Sequence, residues 1–251
     1  MNNTKVSTLF LAALALPLLS ACEESRGTEA ARAEGGYATG TVVDTRGKPI
    51  AGAKVLLDNS VFYASYIHGS TGDDGRYRIR VQPGAWRAHA TFTKQYNGRT
   101  YTLELHPDAI DSFDQDGAVR NFTWQLEGRG PVNDYSYYGG FIQLSAAVGF
   151  YEDFNDVELV LTPDGPLIDG SPGKQLRLRL KDHYWRDYYQ VEDIPIGRYT
   201  VTATIETDGQ PRPLRIQDWH EEGEFVPAFQ LDFLPESSGS PGAKASIVIG
   251  D

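Results

Sequence analysis

One cysteine, Cys22, and one methionine, Met1, are all that the 251 residues contain of either. A lone thiol cannot close an internal disulfide, so the fold must be held by burial of apolar surface, for which the length is ample. Histidine is scarce too. His68, His89, His106, His183 and His220 include no His-x-His pair and no His-x-x-Glu. They read as isolated surface residues, so no metal ligand and no cofactor is assigned. Gly-x-Ser-x-Gly is absent, which leaves no nucleophile elbow. Positive charge is in deficit: 23 Lys and Arg against 34 Asp and Glu give a net charge of −11. Such a chain repels phosphate backbones, and no nucleic acid partner is expected. Neutral ligands, cationic partners and divalent metals meet no such barrier. Past the first twenty residues no stretch is apolar enough to span a bilayer, and long helical periodicity is missing.

What is present begins with the leader. A polar start containing Lys5 precedes an apolar run from Val6 to Leu19, which ends in Leu19-Ser20-Ala21-Cys22. The run is too short to span and closes on small residues, as a secretory signal does. The pattern resembles the signal peptide and lipobox of bacterial lipoproteins. The resemblance implies that residues 1–21 are removed, that Cys22 becomes the first mature residue, and that it carries acyl chains into a membrane. Each buried methylene of such a chain contributes about 0.8 kcal/mol, so two or three chains hold a domain durably. The other reading is a plain secretory signal cut at an Ala-x-Ala-like site. Glu23, where an aspartate would resemble an inner-membrane retention signal, leans towards the outer membrane in a Gram-negative host. The mature charge would be −12, since Lys5 leaves with the leader. The rest of segment 22–35 is small, charged and aperiodic, which predicts a flexible tether.

Glycine, proline and aromatics are frequent, and short alternating segments are separated by turn signals, so the expected class is all-β. Ala53, Val55 and Leu57 alternate, as do Tyr77, Ile79 and Val81, and then Trp86, Ala88, Ala90 and Phe92. Thr45–Pro49, Thr71–Gly75 and Pro83-Gly84 read as the turns between them. Gly40-x-Val42-x-Asp44-x-x-Gly47-x-Pro49-Ile50-Ala51-Gly52-Ala53-x-Val55 and Asp73-x-Gly75-x-Tyr77-x-Ile79-x-Val81-x-Pro83-Gly84-x-Trp86 resemble carboxypeptidase regulatory-like domains. The resemblance implies a transthyretin-like β-sandwich of about seven strands over residues 36–127. Its closing strand is expected at Val119–Leu126, with Phe122, Trp124 and Leu126 inward.

Residues 128–139 read as a linker, and 140–251 as a second β-sandwich. Val157, Leu159 and Leu161 alternate there, as do Leu176, Leu178 and Leu180. Tyr189-x-Val191-x-x-Ile194-Pro195-x-Gly197-x-Tyr199-x-Val201 echoes the Tyr77–Trp86 pattern, which suggests a related design. Two tandem antiparallel sandwiches suit the length.

Resemblance to a carboxypeptidase accessory domain does not bring the peptidase, whose zinc-binding half has neither its motif nor room here. Intradiol dioxygenases and transthyretin-like hydrolases lose their signatures as well. Asp108, Asp111, Asp114 and Asp116 form an acidic loop, read as a solvated turn, with calcium as the other reading. The candidate binding residues are aromatic: Tyr137 and Tyr138 in the linker, and Tyr184, Trp185 and Tyr188 in a later cluster. Flat rings with a polar edge stack on sugars or on partner side chains, or they join the two sandwiches. The expected function is therefore non-enzymatic: a lipid-anchored, extracytoplasmic envelope module that binds a protein or glycan, or acts as a spacer. The alternative is a carbohydrate-binding accessory lipoprotein of a glycan-uptake system. A metal-dependent enzyme built on the acidic loop ranks last.

Overall fold

The computed structural model describes residues 33–130, 136–182, 189–207, 209–219, 223–236 and 241–251. The leader, Cys22, most of the tether, and the aromatics Tyr184, Trp185 and Tyr188 lie outside the described residues. From residue 32 onward the chain is one compact unit. It is all-β. Among the described residues the only helical turns are short 3-10 pieces at Phe154–Asp156 and Leu180–Asp182. No helix there is long and apolar enough to cross a membrane.

The first half stacks two sheets. One contains β1 (Tyr37–Val43), β4 (Arg76–Arg80), β7 (His106–Pro107), β8 (Ala118–Val119) and β9 (Phe122–Thr123). The other is antiparallel in the order β3 (Tyr66–Ser70), β2 (Lys54–Asn59), β5 (Trp86–Tyr96), β6 (Arg99–Glu104). Period-two alternation turns Val55, Leu57, Tyr77, Ile79, Ala88 and Ala90 inward, as the sequence predicted. Phe92 and Trp124 meet edge to face at 4.9 Å between the sheets.

The expected closing strand is broken. Arg120 and Asn121 separate β8 from β9, and both short strands run parallel to β1. The cause is at Gly40, where a Cβ would lie 1.8 Å from the Arg120 carbonyl oxygen. That carbonyl accepts from the Tyr77 hydroxyl at 2.6 Å, and Asn121 Oδ1 accepts from Thr41 N at 3.0 Å. Arg120 N still donates to Thr39 O at 2.8 Å, and at Asn121 the side chain takes the place of a ladder bond before the strand resumes.

The second half is one hydrogen-bonded sheet of nine strands. Its path is β12 (Leu176–Arg179), β11 (Val157–Pro163), β14 (Arg198–Thr207), β15 (Gln210–Asp218), β18 (Ala243–Gly250), β10 (Gly140–Ala146), β13 (Gln190–Ile194). Strand β16 (Phe229–Asp232) adds to β14, and β17 (Leu234–Pro235) adds to β18. Its alternate residues, among them Ile142, Leu159, Val191, Val201, Leu231 and Ile247, share one core with the first half. Within this sheet the pairing of β10 with β18 is parallel, and the others are antiparallel.

The first sandwich has two distinct ends. At one, Gly36 O accepts from Val81 N at 2.9 Å, and Ala85 O accepts from Ser60 N at 2.8 Å. At the other lie the Thr45 turn and the β5–β6 hairpin, and here the second half attaches. Thr45 Oγ1 donates to Asp169 Oδ2 at 2.8 Å, and Tyr96 donates to Pro166 O at 2.8 Å. Tyr101, buried in the joint, donates to Phe233 O at 2.7 Å.

Candidate functional site

A cleft of about 360 Å³ opens where the halves meet, between β6, the end of the linker, β13 and the start of β18. Its chemistry is set by Glu104, Tyr137, Phe141, Gln190, Glu192 and Glu236, and among the described residues no Lys or Arg lines it.

Two local devices build it. The first is a β-bulge. Gly140 pairs with Ile194 and Ile142 with Val191, so β13 carries one residue more than its partner. The extra residue is accommodated at Asp193, whose φ of 62° is left-handed. Both Asp193 carboxylate oxygens accept from Gly128 N, at 2.8 and 2.9 Å, and Gly139 N donates to Oδ1 at 3.3 Å. One side chain thus ties down the beginning and the end of the linker. Gly139 must be glycine, because a Cβ would lie 2.6 Å from the Asp193 carbonyl carbon. The second device is Tyr138. It is buried, and its hydroxyl shares a 2.9 Å hydrogen bond with His106 Nδ1 of the first half. Burial, and then the Glu104 charge, push its phenol well above the ordinary range.

Two carboxyls of the cleft bind protons more tightly than usual. Burial alone raises Glu104. Burial also raises Glu192, against the hydrogen bond from Tyr137 and the nearby charge of Arg129. Gln190 Nε2 donates to Glu192 Oε1 at 3.1 Å. The arrangement offers oxygen acceptors beside a half-buried tyrosine ring, with the Arg129 guanidinium 5.7 Å over that ring, and its balance is acidic.

Of the sequence-predicted binding residues, the structure brings Tyr137 and Tyr138 to this cleft. Tyr137 lies beside Glu192, whereas Tyr138 spends its hydroxyl on the joint. Glu104, Gln190 and Glu192 were not named from the sequence. One signal was there: the second pattern reads Val191-x-x-Ile194 where the first reads Ile79-x-Val81, and the additional residue is the bulge.

Two carboxyls of the acidic loop are engaged within the protein. Asp114 Oδ1 accepts from Asp116 N at 2.9 Å, and Asp108 Oδ2 accepts from Asn121 Nδ2 at 2.7 Å. Among the described residues, no three His, Cys, Asp or Glu side chains gather as a metal site. His89 is half-buried on the outer side of β5, and burial lowers its pKa.

No curated protein matches the sequence. Among solved structures, the Bacillus anthracis TIE protein is 13% identical, with a TM-score of 0.29 over 86% of this chain and 34% of that one. The chain thus spans about a third of that protein's length. A streptococcal ancillary pilin is 10% identical, with a TM-score of 0.27 over 85% and 68%. A Bacteroides thetaiotaomicron protein provisionally described as polysaccharide-binding is 7% identical, with a TM-score of 0.25 over 70% and 78%. These superpositions are loose, and nothing about ligands follows from them. Residues 38–114 match the family model described as carboxypeptidase regulatory-like domain, so the first half carries a domain of that kind.

Proposed function

We propose that this chain is a lipid-anchored, non-enzymatic envelope protein that binds a neutral glycan in the cleft between its halves. The observation behind the reading is the lining: Tyr137 beside Glu104, Gln190 and Glu192, with no Lys or Arg among the described lining residues. Carboxyl and amide oxygens accept from sugar hydroxyls, and a tyrosine ring offers a flat apolar face. The carboxyls of Glu104, Glu192 and Glu236 outnumber the one nearby cation, Arg129 over the Tyr137 ring at 5.7 Å, and so disfavour an anionic ligand. The anchor rests on Leu19-Ser20-Ala21-Cys22, and an accessory role in glycan uptake is the same site in a more specific setting. Spacing of another component from the membrane is what remains if the cleft binds nothing.

The test is a glycan array followed by titration calorimetry on the best neutral oligosaccharide. Tyr137→Ala and Gln190→Ala are each expected to weaken binding about tenfold, equivalent to about 1.4 kcal/mol. A wild-type protein that binds no neutral glycan overturns the reading. Release of new reducing ends would replace binding by hydrolysis, since carboxyls with raised proton affinity are what a general acid needs.

A further inference from the structure

Val61, Phe62 and Tyr63 follow one another at the turn between β2 and β3, and are 71%, 65% and 100% exposed. Tyr66, 49% exposed, stands beside them. Consecutive large apolar side chains in water mark a contact surface more often than chance. The turn is held rather than loose. Asn59, buried beneath it, accepts at Oδ1 from Val61 N and Phe62 N, each at 2.9 Å. Asn59 N donates to Ser65 O at 2.9 Å. Gly84 makes room for the Asn59 amide, since a Cβ there would lie 2.9 Å from its Nδ2.

Its position in the fold says what it faces. Ser60 is bonded to Ala85, and four residues earlier Val81 is bonded to Gly36, where the chain enters the sandwich from its N-terminal side. The apolar tip and Gly36, where the chain enters, therefore share one end of the first half, and the second half attaches at the other. Fully extended, the segment from Cys22 to Gly36 reaches at most about 50 Å. That contour length bounds how far this end can stand from whatever holds Cys22.

We propose that the Val61–Tyr63 tip seats in the interfacial layer of the bilayer that carries the Cys22 acyl chains. The proposal rests on the lipid-anchor reading. Aromatic side chains with a polar edge favour that layer, and insertion of a rigid tip costs little ordering entropy. The chemistry that fits is a zwitterionic headgroup. Asp111, Asp114 and Asp116 lie on the loop whose Phe113 pairs with Trp86 at this end, and they oppose an anionic surface.

The test uses the acylated protein from membranes, reconstituted in phosphatidylcholine vesicles. Tyr63→Cys supplies a free thiol at a fully exposed site, and Tyr151→Cys, 94% exposed in the second half, supplies the control. A membrane-impermeant maleimide should label position 63 at least about tenfold more slowly than position 151. Equal labelling overturns the proposal. Protection of position 63 without vesicles also overturns it, in favour of a protein contact. Palmitate labelling of wild type against Cys22→Ala scores the anchor separately. If no label enters, the anchor reading falls, and vesicles added to the unacylated protein decide the tip alone by the same comparison.

Discussion

At the scale of single residues, the cleft depends on groups that a sandwich does not need. Asp193 adopts a left-handed backbone and accepts from both Gly128 and Gly139. Removing a charged acceptor costs about 1.5–3 kcal/mol per lost set of bonds, and an alanine adds strain at positive φ. Asp193→Ala should therefore lower the urea midpoint by the equivalent of about 3 kcal/mol. Asp193→Asn, which keeps an acceptor and tolerates the backbone, should lower it by less than half as much. Glu104 behaves in the opposite sense. Its pKa in the folded protein is raised by burial above the ordinary 4.5, so the native state binds the proton more tightly than the unfolded chain. Stability is lost as pH rises from that ordinary value through the raised one. Glu104→Gln should thus unfold at a higher temperature than wild type at neutral pH. The two should converge below about pH 4.5, measured by melting across pH.

At the scale of elements, alternation in the sequence locates strands such as β2, β4, β5, β11 and β14 but cannot see where a partner backbone intrudes. Val119–Leu126 reads as one closing strand, yet it is interrupted where the Arg120 carbonyl crosses Gly40. Gly40→Ala should cost more than about 3 kcal/mol in chemical unfolding, because the obstacle is backbone that cannot rotate away. A cost below about 1 kcal/mol would mean that the crossing is not as close as described. The bulge in β13 is a related case. The spare residue between Val191 and Ile194 is visible in the sequence, but its consequence is tertiary: Glu192 lines the cleft while Asp193 ties the linker.

For the whole molecule, the joint decides how the two halves behave. Tyr96, Tyr101, Thr45 and Tyr138 each carry a hydrogen bond across it. Asp169 is nearly enclosed. Burial pushes its carboxyl up, but hydrogen bonds from Ser171 and Thr45 and the charge of Arg46 outweigh this and hold it below the usual range. Its contribution is present above the ordinary aspartate value of 3.8, and is lost only as pH falls through the lowered one. The halves, proposed from the sequence as separate sandwiches, are therefore expected to melt in one calorimetric transition at neutral pH. Two well-separated transitions would mean that the joint contributes little.

The all-β class, the buried faces of strands such as β2, β4, β5, β11 and β14, and the regulatory-like character of residues 38–114 were written in the sequence. Each depends on near neighbours along the chain: alternation at period two, and turn residues that bound it. The cleft, the bulge that shapes it, the burial of Tyr138 and the end that Val61–Tyr63 shares with Gly36 came only from the tertiary structure. These features join residues far apart in the chain, such as Tyr101 with Phe233 and Gly128 with Asp193. Local periodicity carries no record of such pairs, because it is long-range packing that selects them.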